Sequence, residues 1–147
     1  MSIDPTYAPP EEMRELVHYM PFCDIFTPNL QEAVALTGLN DPLAIINKIE
    51  QLGAQFICIK AGSQGTYFKN EDNQLEHIVP PAVNVIDTTG AGEAFVAGLL
   101  YQILKQNRSK RESIKYATIC GALACTKIGG PTGMPASSDV SQLLTTE

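Results

Sequence analysis

The residues best equipped for chemistry form one run, Asp87-Thr88-Thr89-Gly90-Ala91-Gly92-Glu93, placed after the apolar Val83-Asn84-Val85-Ile86 and before Ala94 and Phe95. Glycines at 90 and 92 let the backbone turn sharply and approach an anion closely. A helix starting there presents unpaired N–H groups and the positive end of its dipole at the same place. A phosphate is the natural guest of such a corner, and Glu93 stands where a carboxylate could take a proton from an attacking hydroxyl. A plainer explanation serves the same residues. A strand-to-helix turn needs glycine for steric reasons, and an acid in a first helical turn favours the dipole whatever its task.

Two further runs have comparable chemistry and comparable alternatives. In Thr27-Pro28-Asn29-Leu30-Gln31-Glu32 the Asn-x-x-Glu spacing precedes an apolar stripe of Ala33 and Leu36, which is the form of a reciprocal helix cap. In Lys60-Ala61-Gly62-Ser63-Gln64-Gly65 an apolar run ends at a cation and two glycines. That is a plain turn, or a loop that wraps an anion.

The elements that must hold these runs alternate between strand and helix. Pro5, Pro9 and Pro10 predict an extended lead-in, followed by a helix over 11–19 that Pro21 ends. The sequence predicts strands over 23–26, 55–60, 65–68, 75–79 and 83–86, with Asn70-Glu71-Asp72-Asn73 as a hairpin loop. Helices are expected from Asn29 to Gly38, from Asp41-Pro42 to Gly53, over 94–104, from Ser109 with Glu112 through about Lys127, and over 138–144. Small residues at Gly121, Ala122 and Ala124 suit close packing against a backbone or a flat ligand. Such alternation implies a layered α/β fold with a largely parallel sheet, the hairpin being an antiparallel addition at one edge. No repeat or linker divides the chain, which reads as a single domain.

Composition removes several function classes. Ten Lys and Arg against sixteen Asp and Glu give a net charge of −6, the wrong sign for a nucleic-acid or anionic-membrane surface. No apolar stretch approaches the roughly 18 residues of a spanning helix, and no signal peptide is visible in Met1-Ser2-Ile3-Asp4-Pro5. A cytoplasmic protein is expected. Cys23, Cys58, Cys120 and Cys125 lie in or beside apolar runs without Cys-x-x-Cys spacing, and read as reduced, packed thiols. His18 and His77 suggest no role, and the five scattered tyrosines suggest no stacking platform for bases.

Asp87-Thr88-Thr89-Gly90-Ala91-Gly92 followed by an acid, then Phe95 and Gly98, resembles the second signature of the PfkB (ribokinase-like) family of sugar kinases. Thr27 to Glu32 resembles the family's Pro-Asn-x-x-Glu segment, and Lys60 to Gly65 its nucleotide loop. Ala117 to Pro135, with Gly129, resembles its final adenine-flanking helix and loop. Asp4-Pro5 is more faintly similar to the Asp-Pro ending a central family strand. The four motifs from Thr27 to Pro135 are collinear with the family.

The resemblance implies the C-terminal, nucleotide-binding half of a three-layer α/β/α domain, without the half that supplies most sugar contacts and the lid. It implies transfer of the γ-phosphoryl group of ATP to a sugar hydroxyl, with Mg²⁺. Glu93 would be the base, and Gly90, Ala91 and Gly92 the anion hole. Asn29 would serve the nucleotide and Glu32 Mg²⁺ through water, while Lys60, Gly62, Gly65 and Thr118 would line the nucleotide. In part of the family the positions of Asp87 and Thr89 help hold K⁺, with backbone carbonyls here near Ala124, Lys127, Gly129 and Gly133; the alternative is that Asp87 only fixes its turn. Where the family has Asp as base this chain has Glu93, so a noncatalytic nucleotide-binding or assembly module stands beside the kinase, as does a folded remnant without a ligand. Loss of half the domain implies an uncovered sheet edge, and hence self-association or a partner chain.

Overall fold

A computed structural model describes residues 1–5 and 9–145. The chain divides into two compact units, Met1–His77 and Ile78–Glu147. The first is built on a mixed five-stranded sheet in the order β1 (Ser2–Ile3), β2 (Ile25–Phe26), β3 (Phe56–Lys60), β4 (Thr66–Lys69), β5 (Leu75–Ile78). β1 pairs with β2, and β2 with β3, in parallel, Ile3 lying beside Phe26 and Phe26 beside Ile57. β4 returns antiparallel, with Cys58 opposite Phe68 and Lys60 opposite Thr66. The parallel part with a hairpin at one edge is the arrangement expected.

Local chemistry explains the helices around this sheet. α2 (Leu30–Thr37) starts at Asn29 and stops where Gly38 turns left-handed. α3 (Pro42–Gln51) starts at Asp41, whose carboxylate accepts the Ala44 N–H at 2.8 Å while Pro42 takes a position where no N–H is needed. α3 buries Ile45, Ile46 and Ile49 completely, and both helices pack on β3. β3 itself buries Phe56, Ile57, Cys58 and Ile59 in succession, so both its faces are covered, as its unbroken apolar run requires.

The lead-in and first helix depart from expectation. Pro10 heads α1 (Pro10–Glu15) instead of extending the lead-in, because the first helical position tolerates its missing N–H. Ser2–Ile3 is extended as strand β1, and the part of that expectation at residues 6–8 lies outside the described residues. Beyond Glu15 the helix tightens to a 3-10 form over Leu16–Phe22, which carries Pro21 inside it and buries Met20.

The second unit rests on α4 (Ala91–Lys105) packed along α5 (Lys110–Ala124), followed by a four-residue helix, α6 (Gly130–Gly133), and α7 (Ser137–Leu144). Gly98 lets α4 and α5 close together, since a Cβ there would meet Cys120 Sγ at 2.8 Å. Ser109 and Glu112 form the expected reciprocal cap of α5. The α5 helix ends at Ala124 rather than near Lys127, and Val83–Ile86 is not a strand. These two corrections share a cause. The Cys125 carbonyl accepts the Ile86 and Asp87 N–H groups at 2.8 and 3.2 Å, so the incoming segment docks on the helix end instead of on a strand. Val85 and Ile86 keep more than half of their surface exposed.

Cys23, Cys58 and Cys120 are buried, Cys125 is half-buried, and none of the four forms a disulfide. Burial pushes the Cys120 thiol up to about 12, which makes it a packing group and not a nucleophile.

Candidate functional site

Three parallel strands end on one side of the first unit, and their ends carry the polar residues. Thr27, fully buried just past β2, donates its hydroxyl to Asp4 Oδ1 at 3.0 Å. Lys60, the last residue of β3, places Nζ 2.5 Å from the same oxygen. The Lys60 N–H donates to the Pro28 carbonyl at 2.9 Å, which brings the start of α2 beside the end of β3. Asp4, Thr27, Asn29 and Lys60 therefore converge at the carboxyl ends of β1 to β3, where α/β sheets bind their ligands.

Asn29 and Glu32 form the cap that their spacing predicts. Asn29 Oδ1 accepts the Glu32 N–H at 2.9 Å, and Glu32 Oε2 accepts the Asn29 N–H at 2.7 Å. The cap does not exhaust Glu32. Only 8% of the residue is exposed, and burial raises its pKa above 4.5, opposed by the Asn29 N–H and the Lys60 charge and reinforced by Asp4. Burying a carboxyl is costly, and the Lys60 charge offsets part of that cost.

Gly62–Gln64 is one turn of 3-10 helix between β3 and β4. It closes on itself, with Gln64 N–H to Ala61 O at 3.1 Å, Gly65 N–H to Gly62 O at 3.0 Å and Ala61 N–H to Gly65 O at 2.8 Å. Sequence reasoning passed over Asp4 as a partner of Lys60, and over His77, whose Nε2 contacts the Gln64 carbonyl. Neither relationship has a local signal, because each joins segments distant along the chain.

In the second unit, Asp87 Oδ1 accepts the Thr89 N–H at 2.9 Å and Oδ2 accepts the Gly129 N–H at 3.0 Å. These donors, Gly129 first, hold its carboxyl below the usual range. Asp87 thus fastens the turn before α4 to the loop after α5. Gly90 caps α4 with a left-handed φ of 85°, and a Cβ on it would lie 2.9 Å from the Gly130 Cα. No side chain caps this helix. The Ala91 N–H is spent on the Thr88 carbonyl at 3.2 Å, so the corner's capacity for an anion rests on the first-turn amides beyond it. Glu93, in that first turn, is exposed. Thr118 is buried on α5. The carbonyls of Ala124 and Lys127 face Gly133, at 3.0 and 3.8 Å from the place a Cβ would take.

A mixed sheet flanked by helices, its strand ends furnished with an acid, a cation and a capped helix, defines an α/β protein. The chain belongs to the pfkB family of carbohydrate kinases, whose model matches residues 1–137. It is 30% identical over 144 residues to a ribokinase of Staphylococcus aureus, covering 95% of this chain and 45% of that protein. Among solved structures it superposes on Arabidopsis thaliana ribokinase complexed with ribose and ATP, with a TM-score of 0.81 and 26% identity over 89% of this chain and 44% of the other. It also superposes on fructokinase from Vibrio cholerae O395 in a form with fructose, ADP and calcium ion bound, with a TM-score of 0.82 and 28% identity over 97% and 50%. The fold is ribokinase-like, as the motifs implied. The chain spans about half the length of the relatives it matches.

Proposed function

We propose that this chain is the nucleotide-handling part of an ATP-dependent kinase that transfers the γ-phosphoryl group to a hydroxyl of a sugar or sugar derivative. The observation that carries the reading is the uncapped start of α4 behind Gly90, in a chain of the pfkB family. The positive end of a long helix, left without a side-chain cap, fits a transferring phosphoryl group. Gly90, Ala91 and Gly92 would shape it, and Glu93, one turn in and exposed, would accept the hydroxyl proton. Asn29, Lys60, Gly62, Gly65 and Thr118 are assigned to the nucleotide.

Glu32 is assigned to Mg²⁺ through water as a carboxylate at the strand ends, its Oε2 serving the cap of α2 and its charge interacting with those of Lys60 and Asp4. When bound, Mg²⁺ neutralises phosphate charge. For K⁺ the fit is divided. Both Asp87 oxygens are spent on amides, which supports the turn role, whereas the facing carbonyls of Ala124 and Lys127 suit a monovalent cation.

Among the described residues no helix is long and apolar enough to cross a membrane, and the net charge of −6 disfavours nucleic acid. Cytoplasmic placement belongs to the proposal. So does self-association, or a partner chain, over the short edge strand β1 and the exposed Val85 and Ile86. A monomer by light scattering at high concentration would contradict that part.

A noncatalytic nucleotide-binding or assembly module is the second reading, favoured by Glu93 standing where the motif has Asp. The experiment that separates the two fuses the chain to the remaining half of a homologous ribokinase and assays phosphate transfer from ATP to a panel of sugars. A phosphorylated sugar supports the kinase. Nucleotide binding without transfer to any sugar supports the module.

A further inference from the structure

Tyr67 on β4 and His77 on β5 stack face to face, with ring centroids 4.2 Å apart and planes 8° from parallel. His77 Nε2 also contacts the Gln64 carbonyl oxygen. A carbonyl only accepts, so the ring nitrogen facing it carries a proton, in the neutral Nε2–H tautomer or in the imidazolium alike. His77 is exposed, so burial does not hold its ring; a neighbouring ring and a hydrogen bond do.

Gln64 ends the Gly62–Gln64 turn, whose backbone bonds run within the segment from Ala61 to Gly65. At Gly62 a Cβ would meet nothing within 4 Å, so packing does not restrain the turn there. The His77 contact ties this self-contained turn to the hairpin. We propose that His77, set by Tyr67, is a positioning residue that holds the Gly62–Gly65 turn in one conformation for a nucleotide. The inference rests on the assignment of that turn to the nucleotide and adds the device that orders it. A turn ordered in advance gives up less freedom on binding.

Calorimetric titration of the 147-residue chain with Mg-ADP tests it, using His77→Phe, which keeps an aromatic ring but no N–H, and His77→Gln, which restores a donor. His77→Phe should weaken ADP binding about 3- to 10-fold, the effect of one hydrogen bond, with the melting temperature without nucleotide unchanged. Amide exchange at 63–65 should quicken while exchange in β3 does not. His77→Gln should recover part of the affinity. Wild-type affinity in His77→Phe, or equal loss in both variants, would overturn the brace while leaving the nucleotide assignment standing. No ADP binding by the unsubstituted chain would overturn both.

Discussion

Lys60 Nζ and Asp4 Oδ1 meet 2.5 Å apart across 56 residues, with the buried Thr27 hydroxyl bonded to the same carboxylate. This pair fastens the end of β3 to the end of β1 at the place where the start of α2 arrives. Both side chains are largely withdrawn from water, at 16% and 24% exposure, so the pair lies between the surface and buried regimes. Asp4→Asn or Lys60→Met alone should each cost about 1–2 kcal/mol, and the double variant should cost less than their sum, because no unpaired charge remains. Urea denaturation of the four proteins measures this, and strict additivity would contradict it.

Glu32 gives a pH dependence whose sign follows from its burial. Its folded pKa is raised above 4.5, so over the interval from about there up to the raised value the native chain holds more proton than the unfolded chain. The stability that Glu32 contributes is full below that interval and is lost as pH rises through the folded pKa. Glu32→Gln keeps an acceptor for the Asn29 N–H and removes the ionisation. Its melting temperature relative to the parent should therefore rise with pH from about 4.5 and then level off. Glu32→Ala should instead lose about 1 kcal/mol with the cap.

For Gly90, the left-handed φ of 85° and the 2.9 Å approach to Gly130 leave no place for a side chain. Gly90→Ala should cost at least about 1–2 kcal/mol from handedness alone and should abolish nucleotide-dependent stabilisation. A variant that melts like the parent and still responds to nucleotide would remove Gly90 from the anion corner.

Glu93→Asp, in the fusion with the remaining half, addresses catalysis. One methylene moves a carboxylate by about 1.5 Å, and misplacement near 1 Å can cost about a hundredfold in rate. Measurable sugar phosphorylation with Glu93 should rise with Asp. Turnover with neither residue would favour the noncatalytic module.

The parts legible in the sequence are those whose physics is local. The caps at Asn29–Glu32, Asp41 and Ser109–Glu112 stand where their spacing put them, because each bond spans three residues. The buried strand over 56–60 was legible because an unbroken apolar run needs both faces covered. Val83–Ile86 failed for the opposite reason: a strand exists only with a neighbour, and this segment ends with the Ile86 N–H, followed by that of Asp87, donated to the Cys125 carbonyl. The Asp4–Lys60 pair and the His77 contact are tertiary facts without local trace. At the candidate site the glycines were legible as a turn. That Asp87 would fasten that turn to Gly129 was not, since the loop after α5 offers a backbone amide and no side chain.

The most direct test of the central claim is the melting temperature of this chain with and without Mg-ATP and Mg-ADP. A nucleotide at a hundred times its dissociation constant stabilises a fold by about 2.7 kcal/mol, a shift of several degrees in a chain of this size. The nucleotide-handling assignment predicts a saturable upward shift with both nucleotides that depends on Mg²⁺. A cooperative transition at one temperature in all three conditions would contradict it.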